Sequence, residues 1–197
     1  MPFVFKRLAL LMSIATAFAA DKDAPFRAAP AASYAHHQTN AQVTIGVDPF
    51  VAEDKIKSAF GKLNPYNFGV LPVLIVIQND SNQTIRLDRL KAEYVGSGSN
   101  RVEATPAKEV RYLNGPSRPP IISGPKGPIP GKSKKNPLNA WEIEGRALAA
   151  QMLPPGNSAS GFLYFQTGLQ PGSVVYVNGL VEAGTGKELL YFEIPLR

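Results

Sequence analysis

The side chains that ordinarily carry chemistry are sparse in this sequence. It has 197 residues, no cysteine and two histidines, His36 and His37. Without cysteine there is no disulfide, no zinc–thiolate or iron–sulfur site and no thiol nucleophile. A Ser-His-Asp relay needs a histidine held by a rigid scaffold, and both histidines stand in an Ala/Pro-rich stretch over residues 20–40. Adjacent histidines point to opposite sides of an extended chain, and no third ligand is near them. A solvated pair is the expectation. Beyond residue 40 there are 13 acidic residues. The closest pair beside an aromatic, Glu142 and Glu144, is two apart on an expected helix and does not face across a cleft, as glycoside hydrolysis requires.

Three further motifs dissolve on inspection. Gly184-Thr185-Gly186-Lys187 looks like the end of a phosphate loop. The earlier glycine is replaced by Val181, the magnesium-holding Ser or Thr by Glu188, and a strand follows where a helix is needed. It reads as a hairpin turn. Asn79-Asp80-Ser81 and Asn82-Gln83-Thr84 spell glycosylation acceptors, but Asn and Ser are ordinary turn residues. Asp80 and Asp88 lack the dense acidic spacing of calcium loops. No catalytic residue, cofactor or metal ligand is assigned.

What remains is residues 114–137, which hold seven Pro, four Gly and the cations Arg118, Lys126, Lys132, Lys134 and Lys135 with no acid. An insertion this long in a compact domain is either functional or unstructured. Polyproline stiffness, with Ile121, Ile122 and Ile129 as apolar anchors, suits docking on an acidic polymer or an envelope protein. A solvated loop kept soluble by its lysines fits the same composition. Tyr164, Tyr176 and Tyr191 on strand faces suit a sugar platform, or equally ordinary cross-strand pairs.

These candidates are set within a recognisable layout. The first twenty residues read as a secretory signal peptide: Lys6 and Arg7, an apolar stretch, then Ala17-Phe18-Ala19, with cleavage expected after Ala19. Residues 20–40 read as a flexible tail. Removing Lys6 and Arg7 leaves 19 basic against 15 acidic residues. That balance is far from the dense basic face of a nucleic-acid binder. No later apolar run is long enough to span a bilayer. Secretion without cysteine fits a bacterial periplasm or exterior.

Residues 41–197 read as one mainly β domain. Residues 42–50 alternate around Val43, Ile45 and Val47. A helix is expected over 53–60, burying Ile56, Ala59 and Phe60 and capped by Gly61. Residues 70–77 form the strongest apolar run, apolar in both phases from Val73 to Ile77, so that strand must be covered on both faces. The expected cover is a second helix from Asn139, with Glu142 at the capping-box position and Trp141, Leu148 and Met152 on one face. Residues 85–95 read as the hairpin partner, with a phase flip at Asp88-Arg89 that predicts a bulge or break. Residues 101–110, interrupted by Pro106, suit an edge. Strands then follow over 161–165, 173–182 and 187–196, the last with Leu190, Phe192, Ile194 and Leu196 on one face. This spacing predicts a β-sandwich of about seven strands with one or two short helices.

Two pieces, VLIVIQNDSNQTIRL (residues 73–87) and PPGNSASGFLYFQ (residues 154–166), resemble bacterial secreted immunoglobulin-like sandwiches of the telokin-like type. The resemblance covers some 120 residues and is carried by structural motifs. It implies an antiparallel immunoglobulin-like sandwich acting as an interaction or accessory module of the cell envelope, and carries over no catalytic residue. The chain departs from the pattern in lacking a lipobox cysteine and in carrying the basic insertion.

Overall fold

The computed structural model describes residues 26–113 and 136–196. In chain order the elements are β1 (His36–Asn40), β2 (Val43–Pro49), α1 (Glu53–Phe60), β3 (Leu71–Asn79), β4 (Ile85–Arg86), β5 (Lys91–Val95), β6 (Arg101–Glu103), α2 (Ala107–Val110), α3 (Trp141–Gly145), β7 (Met152–Leu153), β8 (Ser158–Phe165), β9 (Ser173–Asn178), β10 (Val181–Glu182) and β11 (Phe192–Leu196). Short 3-10 turns precede β1 and β3, at Ala31–Ser33 and Pro65–Phe68. Seven of these eleven strands are five residues or longer. All pairings between strands are antiparallel, in sheets ordered β1-β2-β3-β8, β11-β9-β5-β6 and a small β10-β4-β7.

Strand β3 organises the molecule. Its odd residues Val73, Ile75 and Ile77 face the second large sheet and join Ile45 and Val47 of β2, Val175 and Val177 of β9, and Phe192 and Ile194 of β11 in one core. Its even residues Leu74 and Val76 face the other way, into a second core with Ile56, Ala59 and Phe60 of α1 and Phe162 and Tyr164 of β8. The doubly apolar run is therefore covered on both faces. The main cover is α1, not the expected second helix. The Phe60 ring lies 4.7 Å from that of Phe162. Helix α3 has only five residues, starts from Ala140 without a side-chain cap, and leaves Trp141 70% exposed. Only Ile143 within it, with Leu138 just before it, is buried in that core. Leu148 and Met152 lie beyond the helix.

Two strand segments are broken at one corner, one where a bulge or break was expected and one read as continuous. The phase flip at Asp88-Arg89 is a break between β4 and β5, and residues 173–182 break between β9 and β10. Because β4 pairs with β10 and β5 with β9, two neighbouring strands leave the large sheet together and enter the small one. Gly179 permits this. Its φ is 77°, and an added Cβ would stand 2.1 Å from the Arg89 carbonyl oxygen. Residues 85–95 are consequently not the hairpin partner of β3, whose neighbours are β2 and β8. The last strand is also shorter than expected. Leu189 is buried with the β10 corner, Leu190 is 71% exposed, and alternation resumes at Phe192.

The tail expected over residues 20–40 needs correction where it is described. His36–Asn40 pairs with β2 along its full length. Before it, Ala31 is wholly buried, its carbonyl 2.4 Å from where a Cβ on Gly46 would stand. Only glycine in β2 allows that approach. Polar composition hid this strand: its burial alternates between half-buried and exposed, with no fully buried position. The edge expectation held, since β6 lies at the end of its sheet and yields to α2 after Pro106.

Candidate functional site

The signal-peptide residues through Ala19, and Arg118, Lys126, Lys132, Lys134 and Lys135 of the insertion, lie outside the described residues. Its flanks are described. Asn136 donates from Nδ2 to the Arg111 carbonyl and accepts from the Leu138 N–H at 3.0 Å. Arg111 pairs with Glu144 at 3.0 Å and lies 5.6 Å over the Tyr112 ring. The two ends of the insertion are thus fastened to one spot, between α2 and α3. Tyr112 and Trp141, 74% and 70% exposed, stand at that spot. The indole folds back over Gly145, about 3.0 Å from where a Cβ would be, and leaves its other face open.

The outer face of the β11-β9-β5-β6 sheet carries the second candidate. Tyr176 and Tyr191 stack at 5.1 Å with 28° between planes. Arg101 lies 5.7 Å over Tyr176 and donates to Glu93 at 2.6 Å. Tyr164, expected beside them, is 1% exposed and belongs to the second core, beneath α1. Its hydroxyl donates to the Ile143 carbonyl at 2.7 Å, and burial pushes its ionisation well above the ordinary phenol range. The difference follows from topology, because β8 is covered by α1 on the face that β9 leaves open.

The third feature was not visible in the sequence. A cleft of about 440 Å³ lies between residues 26–28 and β8, lined by Phe26, Arg27, Leu74, Arg146, Ser160 and Phe162 with small neighbours. Arg146 is held by backbone bonds, its carbonyl accepting from the Phe162 N–H at 2.8 Å, while its guanidinium lies 5.9 Å over Phe26. Its Nε is buried and, among the described residues, has no hydrogen-bond partner. Residues 26–28 and Arg146 are far apart in sequence and meet only because the N-terminal segment crosses β2.

The other motifs resolve as structure. Thr185 donates to Glu182 at 2.7 Å and accepts from the Lys187 N–H, so the Gly-Thr-Gly-Lys segment is a hairpin turn. Asn79 is fully buried, its Nδ2 donating to the Gln83 and Leu153 carbonyls at 2.8 and 2.9 Å. Asp80 accepts from Gln78, while Asp88 pairs with Arg86, whose guanidinium holds that carboxyl below the usual range. His37 Nδ1 lies 2.7 Å from the Tyr34 carbonyl. Among the described residues no three metal-ligating side chains cluster, and no helix is long and apolar enough to cross a membrane.

No protein-family description matches the chain, and no curated protein does. Among solved structures it is similar to a functionally unknown protein from Listeria monocytogenes, at 14% identity and TM-score 0.35, covering 81% of this chain and 80% of that one. It is also similar to MPT63, a secreted protein of Mycobacterium tuberculosis, at 14% identity and TM-score 0.32, covering 84% and 95%. A structural-genomics target aligns at 11% identity and TM-score 0.34, covering 80% and 86%. At TM-scores this low, these likenesses determine neither the fold nor the activity of this chain.

Proposed function

We propose that this protein is a secreted, non-enzymatic binding module of the bacterial cell envelope, immunoglobulin-like in fold, released by cleavage after Ala19. Its docking surface is the α2–α3 end from which the basic insertion emerges, and its partner is an acidic envelope polymer. The observation that carries this reading is the pair of exposed aromatics, Tyr112 and Trp141, fixed where both ends of the insertion are fastened. Large apolar side chains are costly to leave in water, and exposed aromatics at the base of a segment whose sequence holds five cations and no acid suit a polymer with acidic groups on an apolar sugar or lipid frame. Such binding weakens with salt, because exposed charges are screened.

The test uses the mature chain with polygalacturonate as the acidic polymer and dextran as the neutral control. Replacing residues 116–135 by a neutral Gly/Ser loop should abolish binding at unchanged melting temperature. Trp141→Ala with Tyr112→Ala should weaken it by about tenfold, equivalent to ~1.4 kcal/mol. Binding unchanged by the loop swap would overturn the proposal. A second reading, carbohydrate recognition, is favoured by the stacked Tyr176–Tyr191 pair beside Arg101 and Glu93. It expects a neutral-glycan signal on an array that falls on Tyr176→Ala, and a blank array would end it.

A further inference from the structure

We propose that β6 is a self-pairing edge, through which two copies of this chain join their β11-β9-β5-β6 sheets around a two-fold axis. Among the described residues β6 is the last strand of that sheet, with β5 on one side and no strand on the other. Its backbone phase is set by its neighbours. The Ala104 N–H donates to the Ala92 carbonyl of β5 at 2.9 Å, and the Asn100 carbonyl accepts from the Gly96 N–H at 2.9 Å. Even-numbered residues therefore turn their N–H and carbonyl groups toward β5, and Arg101 and Glu103 turn theirs outward. Thr105 continues that phase, its N–H reaching the Tyr164 carbonyl of β8 at 2.7 Å. A row of outward donors and acceptors at an uncovered edge is a template for strand addition. The opposite edge of the sheet is closed. On β11 the outward donor positions are Glu193 and Pro195; Gln38 takes the first, and proline has no N–H to offer. One open edge limits growth to a pair.

Charge selects a second copy over any other strand. In an antiparallel pair centred on Val102, Arg101 stands opposite Glu103 of the second copy, and the reverse holds across the axis. Both positions bond outward, so each offers its N–H and carbonyl to the other, with Val102 facing its counterpart at the non-bonded centre. Residues opposed in this way lie about 5.5 Å apart at Cα, within reach of an ion pair. Within one copy the charges are unbalanced. Glu103 stands directly across from Glu93 of β5, a like-charge juxtaposition that costs stability. Arg101 compensates Glu93 at 2.6 Å, whereas Glu103 forms no ion pair among the described residues. Arg101 of the second copy supplies that partner, because its guanidinium spends one nitrogen on Glu93 and keeps further donors free. The contact is smaller than a permanent interface, so the association is weak, with a Kd of roughly 10 µM to 1 mM. Pairing joins the two outer sheet faces into one surface that carries the Tyr176–Tyr191 stack of each copy. The inference goes beyond the proposed ligand of the α2–α3 end and does not depend on it.

Sedimentation equilibrium of the mature chain at micromolar to millimolar concentration should show reversible dimerisation that weakens with added salt. Glu103→Arg places arginine opposite arginine across the axis, and Arg101→Glu places glutamate opposite glutamate. Each variant should self-associate at least about tenfold more weakly than the unmodified chain. Mixed in equal amounts, the two variants are complementary at both positions and should dimerise again. Both side chains are exposed, and the amide spectrum of each variant reports that it is folded. In the unmodified chain, hydrogen exchange at the Arg101 and Glu103 amides should slow as concentration rises, a readout that needs no variant. A chain that stays monomeric at millimolar concentration would overturn the proposal, and so would a dimer that either single reversal leaves intact. Failure of the mixture to associate, or unchanged exchange at those two amides, would place the contact elsewhere and refute it equally.

Discussion

Asn79 shows how much one residue can join. It reads in sequence as part of an ordinary Asn-rich turn. In the structure its N–H donates to the Asn157 carbonyl, its own carbonyl accepts from the Gly156 N–H, and its amide reaches the Gln83 and Leu153 carbonyls. The two motif segments that carry the telokin-like resemblance are therefore laced together through the backbone of one buried residue. Tyr164 is the second residue of this kind. Burial holds its phenol protonated in the folded chain to well above its unfolded value of about 10. Above that pH the unfolded chain loses the proton while the native chain keeps it, so stability falls as pH rises through this range and is unaffected below it. Tyr164→Phe should cost about 1 kcal/mol at neutral pH through the lost bond to Ile143. It should also flatten the alkaline decline, as read by urea midpoints between pH 8 and 11; an equally steep decline in the variant would refute the assignment.

At the scale of elements the lesson concerns which segment covers β3. The periodicity of residues 53–60 and the glycine after them were sufficient to place α1, since an amphipathic turn followed by a left-handed cap has few other solutions. The Asn139–Glu142 spacing suggested a longer second helix, but α3 ends after five residues because the chain must turn at Arg146 to bond Phe162 of β8. Tertiary hydrogen bonding overrode local pattern there. The two helices consequently differ in what they hold up. Phe60→Ala should destabilise the protein by about 3–5 kcal/mol, because it opens a cavity against Phe162. Trp141→Ala should change stability by less than about 0.5 kcal/mol, as expected for an exposed side chain. Chemical denaturation separates the two, and a large loss at Trp141 would show that its side chain is part of the cover.

On the scale of the whole molecule, two four-stranded sheets share one core, while α1, α2, α3 and the N-terminal segment close the far side of the first sheet. The N-terminal segment is more than packing. Gln38 of β1 accepts from the Glu193 N–H of β11 at 2.6 Å, so β1 bridges the two large sheets. Truncation through Asn40 should therefore cost at least about 2 kcal/mol. It also exposes the β2 edge, an invitation to self-association. Thermal unfolding and light scattering of the truncated chain test both effects. An unchanged midpoint in a monomeric product would return residues 26–40 to the status of a tail.

The sequence by itself determined the local and periodic features. Those are the absence of cysteine chemistry, helix α1, the two-faced burial of β3, the break at Asp88-Arg89, the hairpin at Gly184-Thr185-Gly186 and the mainly β class. Each depends on residues within one turn or one strand length of each other, where steric preference and side-chain phase act directly. Only the tertiary structure decided that β3 pairs with β2 and β8, that Tyr164 is core while Tyr176 and Tyr191 stack outside, and that Arg27 and Arg146 line one cleft. Those outcomes depend on which distant strands share a sheet and where a segment crosses, and close approaches such as Ala31 over Gly46 are set by the whole chain. Composition had directed attention to the basic insertion. The cleft was written in no motif, because its walls come from four separate parts of the chain.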